Sequence, residues 1–170
     1  GNVAMGYQAG DSLTTSGGNV IIGYQAMTTA TTTTDNNVAI GYQAMNGGHT
    51  NADVDGCVAI GRLALGLGTL QAGADGTIAI GREALEDLTS GSNNIAIGKT
   101  ALNELTTGGD NIAIGKGSLI AATTQASGNI AIGTDTMNGF TSADTDHCIA
   151  IGYNAMQGSL NTTGAIGIGR

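Results

Sequence analysis

The chain of 170 residues contains no proline and no tryptophan, one phenylalanine, four tyrosines and two cysteines, and aromatic residues make up 3% of it. A conventional globular core of large side chains has no material here. No stretch approaches the ~18 consecutive apolar residues of a bilayer span, and the start lacks the basic-then-apolar pattern of a signal peptide, so membrane insertion is not expected. Cations are scarce: five Lys and Arg against thirteen Asp and Glu leave a net charge of -8. That balance argues against nucleic acid as a partner, because phosphate binding needs a basic surface. Only two histidines occur, and no Ser or Cys nucleophile stands beside a base. No catalytic triad can be assembled, and the expectation is a chain that is not an enzyme.

What the chain has in abundance is glycine, thirty in all, and a short phrase that returns ten times. The phrase has an Asn-Val-Ala-Ile-Gly core and closes on Gly6, Gly23, Gly41, Gly61, Gly81, Gly98, Gly115, Gly133, Gly152 and Gly169, at intervals of 17 to 20 residues. Such a period is too short for a helical hairpin and matches one turn of a β-solenoid. The predicted fold is therefore all-β, a parallel β-solenoid of about ten rungs, with residues 1–170 forming a single array. The array opens and closes in mid-repeat, which reads as a segment of a longer fibre. A slower repeat lies over it: Met45-Asn46-Gly47 and Ala52 to Cys57 return as Met137-Asn138-Gly139 and Ala143 to Cys148. This points to a duplicated five-rung block, residues 6–97 and 98–169.

Aligned on the glycine, the rungs become columns. Three places before it stand only Val or Ile, from Val3 to Ile166, and one place before it stand Met5 and then Ile throughout. These two columns share a strand face, and stiff β-branched side chains suit a packed surface, so they are expected to form the core. The Ala column between them would then face outward, flat enough for another layer, and is expected to line the axis of a homotrimer. Thin rungs hold little interior per residue, and packing three chains together buries more. After the glycine a second apolar pair recurs, as in Ala44-Met45 and Ala101-Leu102. It is expected to close the rung against the Val/Ile layer, as a second strand or as one helical turn. Four places before the glycine, Asn2, Asn19, Asn37, Asn94, Asn111 and Asn129 predict a stacked amide ladder, interrupted by Cys57 and Cys148. Five rungs of about 4.8 Å place those cysteines roughly 24 Å apart, beyond any disulfide within one chain.

One column stands out as a candidate contact site. Immediately after the glycine fall all four tyrosines, Tyr7, Tyr24, Tyr42 and Tyr153, and all five cations, Arg62, Arg82, Lys99, Lys116 and Arg170, with Thr134 completing the column. Long amphipathic side chains held rung after rung make an exposed ridge or a contact between chains, where Tyr and Arg are favoured. The pairs Asp53 with Asp55 and Asp144 with Asp146 have the alternate spacing that opens many calcium loops, and a bound Ca²⁺ is one reading of them, although the glycine and glutamate of an EF-hand do not follow. His147 beside Cys148 lacks the further ligands of a zinc site, Gly98-Lys99-Thr100 is one more rung and not a phosphate loop, and Asn161-Thr162-Thr163 has the form of a glycosylation sequon. Eight places after the glycine, Thr14, Thr31, Thr69, Thr89, Thr106, Thr123 and Thr141 form a row, and an ice-binding solenoid face is the alternative functional reading.

Runs such as Asn37-Val38-Ala39-Ile40-Gly41-Tyr42-Gln43-Ala44-Met45 and Asn94-Ile95-Ala96-Ile97-Gly98-Lys99-Thr100-Ala101-Leu102 resemble the head repeats of YadA-like trimeric autotransporter adhesins. They resemble still more closely the longer-period repeats of phage tail fibres. The resemblance covers the whole chain. It implies a left-handed parallel β-roll, three chains around one axis, and an extracellular place on a virion or cell surface, touching a host receptor or glycan. The rungs are longer than those of the adhesin heads, and no neck, stalk or anchor is present, which favours a fibre shaft. The expected function is a structural and adhesive fibre segment giving multivalent attachment.

Overall fold

The protein is described from a computed structural model, over residues 1–30, 34–48, 54–71, 73–120, 125–139, 146–158 and 163–170. Each copy of the repeated phrase forms one strand of three residues: β1 (Val3–Met5), β2 (Val20–Ile22), β3 (Val38–Ile40), β4 (Val58–Ile60), β5 (Ile78–Ile80), β6 (Ile95–Ile97), β7 (Ile112–Ile114), β8 (Ile130–Ile132), β9 (Ile149–Ile151) and β10 (Ile166–Ile168). The ten make one parallel sheet in chain order. Pairing is strictly column on column, as in Val38 with Val58, Ala39 with Ala59 and Ile40 with Ile60. The chain is thus a β-solenoid, and no helix occurs among the described residues.

The glycine that ends each strand is required twice over. Gly81 has φ of +137°, a backbone region that side chains rarely enter, and a Cβ on it would stand 2.5 Å from the carbonyl oxygen of Gly98 in the next rung. Beyond it the chain enters neither a second strand nor a helical turn, the two forms expected. It forms a stack of turns in which the second and fourth residues are left-handed, for example Gln43 and Met45 (φ 52° and 53°) and Glu83 and Leu85 (φ 60° and 49°). Each such residue costs about 1–2 kcal/mol. What offsets this is continued rung-to-rung bonding: the Gln43 N–H donates back to the Tyr24 carbonyl at 2.9 Å, and the Met45 N–H donates forward to the Ala64 carbonyl at 2.8 Å. A mid-segment strand would have placed the Leu or Met on the wrong face; the left-handed kink turns it inward.

The faces of the sheet are the reverse of the expected ones. The Ala column is the interior: Ala39, Ala59, Ala79, Ala96, Ala113, Ala131 and Ala150 are wholly buried. Opposite them lie Met27, Met45, Leu65, Leu85, Leu102, Leu119 and Met137, also buried, so the second apolar pair closes on Ala and not on Val/Ile. The Val and Ile columns point out, half-buried at best, with Ile97, Ile114 and Ile132 each 37% exposed. The reason is space. A rung of 17 residues encloses a thin interior, and one Leu or Met facing one methyl group occupies it. The exceptions prove the volume constraint: in the first rung Gly10 stands where Leu or Met stands elsewhere, and Ile21 replaces Ala, its Cδ1 filling the space a Cβ on Gly10 would need.

The expected amide ladder is present and fully buried over Asn19, Asn37, Asn94, Asn111 and Asn129. Its bonds run chiefly to backbone. The Oδ1 of Asn19 accepts from the Asn37 N–H at 2.8 Å, and the Nδ2 of Asn37 donates to the Val54 carbonyl at 2.8 Å, so these amides tie each rung to the one that follows.

Three substitutions test this account. Gly81→Ala combines a disfavoured φ with a backbone clash and is expected to lower stability by roughly 3 kcal/mol in thermal melts followed by circular dichroism. Ala113→Ile, which overfills the interior, is expected to cost about 1–3 kcal/mol, whereas Ile114→Thr on the outer face leaves the melting of a dissociated chain within about 1 kcal/mol of wild type.

Candidate functional site

The turn after each glycine holds the ridge column in register. Successive ridge carbonyls accept from the N–H of the following rung, Tyr7 from Gln25, Tyr24 from Gln43, Arg62 from Glu83, Arg82 from Thr100, Lys99 from Gly117 and Lys116 from Asp135, all at 2.8–2.9 Å. The side chains consequently line up about 4.8 Å apart along the solenoid axis. All of the ridge residues Tyr7, Tyr24, Tyr42, Arg62, Arg82, Lys99, Lys116 and Tyr153 are exposed.

Within the ridge the chemistry is segregated by rung. Tyr7, Tyr24 and Tyr42 stack face to face, with ring centroids 5.2 Å apart at each step. Their π-faces are used by one another, so this end presents ring edges and hydroxyls. Gln8, Gln25 and Gln43 run beside them as a second amide ladder, bonded at 2.8 and 3.0 Å. The middle four rungs carry the cations. Arg62 Nη1 lies 2.6 Å from Glu83 Oε1, and Arg82 Nε lies 3.6 Å from Glu83 Oε2. At the far end the Arg170 guanidinium sits 5.8 Å from the centre of the Tyr153 ring, a cation–π contact between adjacent rungs. The sequence singled out the column; the division into aromatic stack, carboxylate-bridged cations and lysines with no ion pair among the described residues required side-chain geometry.

The acidic candidates separate. Asp53 and Asp144 lie outside the described residues. Asp55 and Asp146 are used as backbone acceptors: the Asp55 carboxylate accepts from the Asp35 N–H at 2.6 Å, the Asp75 carboxylate from the Asp55 N–H at 3.0 Å, and the Asp146 carboxylate from the Ser127 N–H at 2.8 Å. Among the described residues no group of three or more His, Cys, Asp or Glu is placed to hold a metal ion. His147 has φ of 59° and occupies the column of left-handed turn residues that Asn36, Asn93 and Asp110 fill elsewhere. Of the threonine row, Thr31, Thr123 and Thr141 lie outside the described residues, and the Thr89 hydroxyl donates to the Thr106 carbonyl at 2.8 Å. That hydroxyl is turned into the stack. No helix among the described residues is long and apolar enough to cross a membrane.

Both cysteines are buried in the amide column, and neither is in a disulfide. Cys57 performs the work of the missing amide: its thiol donates to the Ala74 carbonyl at 3.2 Å, the position an Asn Nδ2 reaches in other rungs, and its N–H donates to Asn37 Oδ1 at 2.7 Å. Burial pushes its pKa up from 9.0 to about 11, with smaller contributions in the same direction from Asp75 and Asp55. The neutral thiol is the form the fold favours.

A scan of protein-family models found no match to the chain, and searches of the curated proteins and of the solved structures likewise returned none.

Because the folded thiol titrates above the unfolded one, its contribution is complete below pH 9 and is lost as pH rises through about 11. Wild type is therefore expected to lose about 2–3 kcal/mol more than Cys57→Asn between pH 8 and pH 11, measured by urea unfolding of both proteins across that range. A thiol reagent at pH 8 is expected to label Cys57 only when urea is present.

Proposed function

We propose that this chain is a segment of a trimeric, non-catalytic fibre that attaches a virion or a cell to a surface, as its resemblance to tail-fibre and adhesin-head repeats implies. The observation that carries the reading is the bare outer face of the sheet. Parallel sheets are almost always covered on both faces, and their strands read as continuous apolar runs. Here the strand sequence Ile-Ala-Ile is continuous, yet only the Ala side is covered by the chain itself. The uncovered side carries two β-branched columns over ten rungs, a strip about 43 Å long at 4.8 Å per rung. A partner with an identical strip covers it most economically, since the two-column spacing and the rung spacing then match by construction.

The trimer axis is accordingly assigned to the Val/Ile face and not to the Ala face. With that face turned inward, the ridge of Tyr, Arg and Lys stays at the edge of the same sheet, repeated in every rung. Repetition suits attachment: identical weak contacts held on one stiff body add through effective concentration. The receptor contact is assigned to this ridge, on an extracellular appendage.

Native mass by light scattering, paired with circular dichroism, tests the assembly. The expected value is near three times 16.7 kDa with a β-rich spectrum. A triple variant, Ile97→Lys with Ile114→Lys and Ile132→Lys, is expected to dissociate to β-rich monomers, because unpaired ammonium groups cannot be desolvated at the axis. A wild-type chain that is monomeric at micromolar concentration overturns the trimer. Retention of fluorescent beads coated with the chain on candidate host cells, lost on mutating the ridge, tests attachment.

A further inference from the structure

The middle of the ridge carries a more specific assignment, which rests on reading the ridge as the contact surface. Four consecutive rungs place Arg62, Arg82, Lys99 and Lys116 in one line, the only such run of cations in a chain of net charge -8. The line is about 14 Å long at 4.8 Å per rung. Backbone bonds hold it in register at every step, from Glu83 N–H to Arg62 carbonyl through Asp135 N–H to Lys116 carbonyl.

The first gap in this line is already filled, and by a carboxylate. Glu83 projects from the residue after Arg82 and straddles two rungs, one oxygen 2.6 Å from Arg62 and the other 3.6 Å from Arg82. The spacing of successive cations is thus that of one bridging carboxylate. The next two gaps, between Arg82 and Lys99 and between Lys99 and Lys116, receive no acid of this chain among the described residues: the residues matching Glu83 are Thr100 and Gly117, and neither lysine forms an ion pair. Asp135, which matches Glu83 one rung beyond Lys116, is a methylene shorter and forms no ion pair among the described residues either. Lys99 and Lys116 are both exposed.

We infer that Arg62, Arg82, Lys99 and Lys116 bind a linear acidic polysaccharide laid along the solenoid axis, its carboxylates or sulfates seated between successive cations as Glu83 is. A linear polymer matches a strip one side chain wide, and charge-assisted hydrogen bonds to oxyanions are the strong contacts such a strip can make. Duplex nucleic acid is the poorer fit: its broad, dense phosphate surface would meet the acidic remainder of the chain, including the Asp35, Asp55 and Asp75 column before the strand. Glu83 competes with the ligand at the first gap.

The experiment is biolayer interferometry of the purified chain against heparin, polygalacturonate, neutral dextran and duplex DNA, with parallel melting curves. Expected are binding to at least one of the two acidic polysaccharides, none to dextran, and weaker binding to DNA. Lys99→Gln with Lys116→Gln is expected to raise Kd at least tenfold with unchanged melting, and to lower the log–log salt slope by roughly one per lysine removed. Glu83→Gln is expected to tighten binding several-fold, because it removes the competing negative charge from the first gap. DNA binding as tight as polysaccharide binding, or a Kd indifferent to the two lysines or to Glu83, overturns the assignment. These outcomes are separate from those of the fibre reading, since the strip lies within one chain and the polymer measurement is made on monomer or trimer alike.

Discussion

Every feature of this molecule depends on backbone hydrogen bonds that hold each residue over its counterpart one rung away. Rungs of 17 and of 20 residues pair in the same register, so the surplus residues are accommodated in the return segment and never in the strand or the turn after the glycine. Once registry is enforced, a residue type becomes a line. Asparagine becomes a buried ladder, glycine a stack in which each α-carbon sits against the next carbonyl, tyrosine a row of stacked rings, and cations a charged strip. The same enforcement lets leucine and methionine occupy left-handed conformations that cost them energy individually, because the bonds lost by straightening the turn would exceed that cost.

The second constraint is thinness. A solenoid rung has room for one large side chain opposite a small one, and the interior alternates accordingly: methyl groups from the strand, Leu or Met from the turn. This is why the β-branched columns are outside. Hydrophobicity alone would place them inside, and in a sandwich or a doubly wound sheet it does; here volume decides, and the displaced isoleucines are left on the outer face. The pairing of Gly10 with Ile21 shows the same rule operating with the sizes exchanged.

The polar lines divide between those bonded within the stack and those exposed at its edge. Amide, carboxylate and thiol groups in the columns before the strand are consumed in bonding to backbone one rung away. The column after the glycine is held in register by its backbone bonds, which leaves its side chains to point outward. Of these, Tyr7, Tyr24 and Tyr42 turn to one another, Tyr153 meets Arg170, and Arg62 and Arg82 turn to Glu83, while Lys99 and Lys116 form no ion pair among the described residues. The ridge is thus a graded surface whose chemistry changes along the axis while its geometry does not.

Ten strands, their parallel order, their register, the glycine corner, the amide ladder and the column of Tyr and cations were all legible in the sequence, since each is a periodic property and periodicity survives without coordinates. The orientation of the sheet was not legible. Alternation shows that Val and Ile share a face and Ala has the other, but which face is inside depends on the cross-section of the closed rung, a property of the whole turn. Nor was the left-handed stack after the glycine legible, because Gln, Glu, Leu and Met at those positions have no preference for it; it exists because neighbouring rungs supply the partners. Sequence by itself determined what repeats and at what interval. Tertiary structure decided inside from outside and bonded from free, because both follow from which groups the neighbouring rungs and the far wall bring within contact.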